Sequence, residues 1–216
     1  MVINKYLAEF LGTFILVFGG SLAILSMQGA DGPAKIIGIG LGFGLALLAG
    51  IWIFGHISGA HFNPAVTIAF LADRRLTLSD AVGYWVAQFA GAAVASLVVL
   101  LATSQNEVAA TVTGYSELRT AIVVEIVLTA IFVWTIMAVV RHGENHAPLA
   151  ISLVLVGIHV SGIPLSGASV NPARSFGPAI VGGSISQLAV YIYAPVIGAL
   201  LAWGLYRLFP AGDDAE

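Results

Sequence analysis

Six apolar stretches dominate the chain, at about 6–27, 36–54, 81–102, 119–140, 147–163 and 188–208. A helix needs roughly 20 residues at 1.5 Å each to cross the ~30 Å hydrocarbon core of a bilayer, and these stretches meet or approach that length. No water is available in lipid to satisfy open peptide groups, so such stretches have to be helices, and the chain reads as an all-α membrane protein. Composition agrees: only 9% of the 216 residues are charged, against about 25% in soluble domains. The net charge of −3 comes with no basic tract, which leaves nothing for nucleic acid to bind. Lacking cysteine, the chain has no disulfides, thiol nucleophiles or thiolate metal sites. The first stretch follows Lys5 in the charge order of a signal peptide but is too long for one, and is read as a retained span.

Two further apolar pieces, 64–72 and 172–181, cover only about 14 Å each, half a crossing. Irregular backbone at membrane depth has to be buried in protein or line a wet cavity, so these pieces are expected to re-enter as two half-helices. The chain also repeats itself. Gly55–Thr67 is matched by a second run through Gly167-Ala168-Ser169-Val170-Asn171-Pro172-Ala173-Arg174-Ser175. Glu9 is matched by Glu125, each followed four residues later by a threonine, Thr13 or Thr129. A single channel domain, 1–216, is therefore divided into a first repeat 1–105 and a second 116–216. Three spans per repeat is an odd number, so the repeats sit inverted, and an inverted repeat places its functional centre at discontinuous helices near the midplane. Small residues at four-residue spacing, such as Gly83/Ala87/Gly91 and Gly198/Ala202, suit close helix packing in lipid.

Both half-helices open on Asn-Pro-Ala: Asn63-Pro64-Ala65 and Asn171-Pro172-Ala173. Asparagine is a strong N-cap because its side-chain oxygen accepts from first-turn N–H groups. Proline at the first helical position loses no hydrogen bond. The amide NH2 stays free to donate, so Asn63 and Asn171 offer donors at the point where two positive helix ends meet. A water molecule there would turn its oxygen to the asparagines, and cations would meet an electrostatic barrier, a device known in aquaporin-type pores. With the N-terminus inside, Lys5, Arg74, Arg75, Arg141 and Arg207 face the cytoplasm against Lys35, Arg119 and Arg174, which favours cytoplasmic N- and C-termini. His142, Glu144 and His146 are read as a solvated connection. A secondary transporter would need an ion-coupling site, yet the spans hold no ionisable residue at mid-depth besides Glu9 and Glu125. An enzyme would need a nucleophile–base pair or a metal triad, and the spans supply neither. No cofactor and no metal are expected.

These residues carry a resemblance over nearly the whole chain. It resembles the aquaporins (major intrinsic proteins), and more closely the bacterial water-selective branch than the glycerol facilitators. The resemblance implies a passive, selective water channel conducting in single file and excluding protons and ions; the alternative is a glycerol or small-solute facilitator of the same fold. It implies a selectivity filter of Phe43, His159, Ala168 and Arg174, in which Arg174 and a ring N–H of His159 act as donors. It implies a ladder of pore-lining carbonyls at Gly59, Ala60, His61 and Phe62, then at Ser166, Gly167, Ala168 and Ser169, with Glu9 and Glu125 tethering the two loops. His159 and the Ser175 that follows Arg174 are water-type features. Ala168 replaces a usual Cys or Thr, and Ile192 a usual Trp. The resemblance further implies a homotetramer in the cell (inner) membrane, with lipid as surroundings and water as permeant.

Overall fold

A computed structural model describes residues 3–141 and 145–209; His142 and Glu144 lie outside the described residues. Among the described residues six helices are long and apolar enough to span a bilayer. They are α1 (Ile3–Ser26), α2 (Gly32–Ser58), α4 (Leu78–Ala102), α6 (Leu118–Arg141), α7 (Ala147–Ser166) and α9 (Leu188–Leu208). Two short helices, α3 (Pro64–Ala72) and α8 (Pro172–Gly182), are the expected half-spans. Span two runs four residues past its expected end, to Ser58, and span five continues through Pro164 to Ser166. Both stop on a left-handed glycine, Gly59 or Gly167. A further short helix, α5 (Gln105–Ala110), lies in the connection between the repeats; six polar and small residues gave it no readable periodicity.

The fold is an inverted three-plus-three repeat. In the first half α1 packs on α2 and α4, and in the second α6 packs on α7 and α9. Each half-helix is held by the other half: α3 packs on α9, and α8 on α4. The two repeats are thus interlocked, and each half-helix draws the larger part of its lateral support from the opposite repeat. Large apolar side chains in mid-span, including Leu45, Val86, Leu153 and Leu201, stay exposed, as expected of helix faces whose solvent is lipid.

Two glycines carry the tightest matched crossings. A methyl group on Gly91 would lie 2.3 Å from the Phe10 carbonyl oxygen, and one on Gly198 would lie 2.4 Å from that of Ile126. The obstacle is backbone in both cases, so only a shift of the whole helix relieves it. Gly198→Ala is therefore expected to destabilise the protein by about 1–3 kcal/mol, although alanine is the better helix former. Thermal unfolding in detergent checks this; an unchanged or raised melting temperature would mean that α6 and α9 separate without cost.

Candidate functional site: two half-helix tips and a lumen

The tips of α3 and α8 meet through reciprocal hydrogen bonds. Asn63 and Asn171 have extended backbone, at φ −155° and −153°, and each caps its own helix. The Asn63 side-chain oxygen accepts from Ala65 N at 2.9 Å. That of Asn171 accepts from Ala173 N at 3.0 Å and Arg174 N at 3.2 Å. The amide nitrogens reach across: Asn63 Nδ2 donates to the Val170 carbonyl at 2.8 Å, and Asn171 Nδ2 to the Phe62 carbonyl at 2.9 Å. An amide has two N–H groups, so one from each asparagine braces the opposite loop and one remains.

Behind each tip, a buried glutamate organises the loop. Glu9 accepts from Ser58 Oγ at 2.7 Å, His61 N at 2.9 Å, Phe62 N at 2.7 Å and Gln88 Nε2 at 2.8 Å. Glu125 accepts from Ser166 Oγ at 2.7 Å, and from Ser169 N and Val170 N at 2.8 Å each. Such convergence of successive N–H groups requires alternating backbone handedness, the arrangement that makes an anion-binding nest. The loops have it: Ala60 and Phe62 sit at φ 52° and 47°, Ala168 and Val170 at 49° and 45°. Left-handed backbone is costly for non-glycine residues, above all for β-branched Val170. The glutamates hold it in place.

A cavity of about 360 Å³ runs past both asparagines. Its wall includes Gly59, Ala60, His61, Asn63, Ser169, Val170 and Asn171, together with Phe43, His159 and Arg174. These three pack on one another: the Phe43 and His159 rings stack with centroids 4.4 Å apart, and the Arg174 guanidinium lies 4.7 Å from the Phe43 centroid. None of the three is more than 5% exposed. Counting from the two asparagines, the equivalent places in the other repeat are held by Ile151, Ile51 and Val66, all on the same cavity wall. The cavity is therefore asymmetric: one repeat contributes a packed aromatic and cationic group where the other contributes three aliphatic side chains.

Placement differs from expectation at several points. Ser166 is the last residue of α7, and its carbonyl accepts from Tyr191 Oη at 2.7 Å. Ser58, its equivalent, is engaged by Tyr84 in the same way. The second carbonyl series, expected at 166–169, therefore loses Ser166, whose carbonyl is already taken, because the helix that precedes it is longer than its apolar run. Ala168 is fully buried, and neither it nor Gly167 belongs to the cavity wall. His159 Nδ1 lies 2.9 Å from the Leu155 carbonyl. A carbonyl only accepts, so Nδ1 carries the proton, and Nε2 of the neutral ring is an acceptor and not the expected donor. Ile192 is half-buried on α9. Sequence reading missed Gln88, Tyr84, Tyr191 and Thr113, whose hydroxyl receives Arg174 Nη1; each is an isolated polar residue outside any motif. Among the described residues no group of His, Asp and Glu is arranged to hold a metal ion.

Comparison with known proteins follows the same lines. The major intrinsic protein family model matches residues 1–206. Over 97% of its length the chain is 43% identical to glycerol uptake facilitator protein-like 6 of Lactiplantibacillus plantarum, all of which is covered. It is 40% identical to Aquaporin Z of Rhodopseudomonas palustris, covering 95% of this chain and 92% of that one. Among solved structures, the aquaglyceroporin from Plasmodium falciparum matches with a TM-score of 0.83 and 25% identity, covering 97% of this chain and 95% of that one.

Proposed function

The chain belongs to the major intrinsic protein family, and on that premise we propose that it is a passive channel conducting water in single file while excluding protons and other ions. The observation that carries this reading is the cavity whose wall holds both asparagines together with the packed Phe43, His159 and Arg174. At the centre, one N–H of Asn63 and one of Asn171 donate to a passing water oxygen. The water's hydrogens then point outward to acceptors on either side: the carbonyls of Gly59, Ala60 and His61, and that of Ser169, all residues of the cavity wall. The Phe62 and Val170 carbonyls already receive the opposing asparagines.

The two histidines extend this polarity. Thr67 Oγ1 donates to the Asn63 carbonyl at 3.1 Å, so His61 Nδ1, 3.1 Å away, donates to it in turn. His61 Nε2 is left as an acceptor on one side of the centre. His159 Nε2, which is buried without a protein partner, is its counterpart on the other. Donors at the middle and acceptors at both ends favour opposite water orientations in the two halves of the file, which interrupts a proton wire. Positive half-helix ends oppose cations at the centre, and Arg174 does so at the constriction.

A glycerol or small-solute pore is the second reading, and one finding favours it: 43% identity to a glycerol uptake facilitator-like protein over that protein's whole length. Stopped-flow light scattering on proteoliposomes separates the two. Fast, non-saturating water flux of low activation energy with slow glycerol entry is the expected result; glycerol entry as fast as water equilibration overturns the water-selective reading. Phe43→Ala combined with His159→Gly is expected to raise glycerol permeability about tenfold or more by opening the constriction. A factor of ten corresponds to about 1.4 kcal/mol, well within the effect of removing two rings from a packed site. The same reading includes a homotetramer in the inner membrane, two inverted repeats at 1–105 and 116–216, and both termini in the cytoplasm, since five of eight Lys and Arg residues then lie on that face.

A further inference from the structure

Arg174 has no counterpart in the first repeat, where Val66 stands in its place, so the repeat itself offers no matched partner for a guanidinium. Its partner comes from the connection between the repeats. We propose that Thr113 is a positioning residue for the constriction: its hydroxyl holds the Arg174 guanidinium at the end of the lumen and thereby sets the discrimination of water from larger solutes. The inference rests on the channel reading above and deepens it.

The connection is itself firmly held on both sides of Thr113. Gln105 Nε2 donates to the Val181 carbonyl at 2.8 Å, which ties α5 to α8. Tyr115 N donates to Gln187 Oε1 at 2.9 Å, and Gln187 Nε2 returns a bond to the Tyr115 carbonyl at 3.0 Å. Val108 and Thr111 are buried between these anchors. Thr113, only 5% exposed, therefore stands on fixed backbone, and its side chain receives Arg174 Nη1.

The hydroxyl also belongs to a chain whose direction is set by its ends. Thr113 Oγ1 lies 2.8 Å from Ser175 Oγ, which lies 2.6 Å from Ser169 Oγ. Ser169 Oγ donates to the Asn171 carbonyl at 3.0 Å. A guanidinium can only donate and a carbonyl can only accept. Every hydroxyl between them must then donate the same way: Arg174 to Thr113, Thr113 to Ser175, Ser175 to Ser169, Ser169 to Asn171. Bonds aligned head to tail polarise one another. The chain connects the constriction to the cap of the second half-helix, and Thr113 is its one member from outside that repeat's re-entrant segment. Arg174 Nε has no protein partner, so among the hydrogen bonds described for the guanidinium the Thr113 contact is the one that fixes its direction, while the Phe43 ring supports its face.

Thr113→Val keeps the shape and removes the hydroxyl, leaving Arg174 Nη1 and the Ser175 hydroxyl without that partner. In proteoliposomes of the full chain, the ratio of glycerol to water permeability is expected to rise about fivefold to tenfold. Thr113→Ser, which restores a hydroxyl, is expected to return the ratio to within twofold of wild type. A bulk packing defect would not be rescued in this way, since serine lacks the methyl group. An unchanged ratio in Thr113→Val, or a raised ratio in Thr113→Ser equal to that of valine, overturns the proposal. Should Thr113→Val not reconstitute, Ser175→Ala tests the next link: a ratio raised about twofold to threefold supports the chain, and a wild-type ratio overturns it. Failure of the channel reading itself is read separately, from wild-type vesicles that shrink no faster than protein-free ones.

Discussion

Glu125→Leu is expected to abolish measurable water flux and to destabilise the protein by roughly 2–6 kcal/mol, taking about 1–3 kcal/mol for each of the two buried peptide donors left without an acceptor. Three donors lose their partner at once: Ser166 Oγ, Ser169 N and Val170 N. The hydroxyl of Ser166 can turn elsewhere, but the two peptide groups cannot without undoing the left-handed backbone at Ala168 and Val170. Once that alternation relaxes, the carbonyls on the other side of the loop no longer line a file. Glu125→Gln should fall between, because an amide keeps one acceptor oxygen and presents an NH2 to donors. Thermal unfolding in detergent and stopped-flow shrinkage of proteoliposomes measure the two effects together. A Glu125→Gln protein with full stability and flux but an altered proton permeability would instead make the carboxylate a proton relay. Glu9 accepts a fourth donor, Gln88 Nε2, so Glu9→Leu should be at least as damaging.

The contrast between the two glutamates marks what sequence could and could not reveal. Spans, half-helices and capping asparagines follow from apolar length and from a repeated tripeptide, both local in the chain. Glu9 and Glu125 stood out because a carboxylate in an apolar span demands partners. Their partners were harder to find. Gln88 sits four residues after Tyr84, and the corresponding residue after Tyr191 is Pro195, so the symmetry that exposed the glutamates hides the glutamine. The engaged Ser166 carbonyl has a similar cause: the first free carbonyl cannot be located from the end of an apolar run when Pro164 lies inside the helix and the last turn continues to Ser166. The His159 acceptor depended on a carbonyl one turn earlier, a backbone group that carries no signal in a side-chain pattern. Thr113 lies in the stretch between the repeats, where neither periodicity nor symmetry operates.

Arg174→Val would give both ends of the lumen the same residue at equivalent positions, since Val66 already occupies the other, and its predicted effect follows from that equality. The lost guanidinium carries a full charge in a site only 5% exposed. At an effective dielectric constant near 20, a unit charge opposes a like charge 4 Å away by about 4 kcal/mol. The whole of that is not expected in the leak, because the two half-helix ends still present about half a unit of positive charge each at the centre. The remaining barrier belongs to Asn63 and Asn171, so proton or cation leak should rise by about one to two orders of magnitude while water flux stays at or above that of the wild-type protein. A pH-sensitive dye enclosed in proteoliposomes under an imposed potassium diffusion potential reads the leak, with light scattering on the same vesicles for water. If the leak is unchanged, charge exclusion resides wholly at the asparagines, and Arg174 acts there only by size and by its stacking on Phe43.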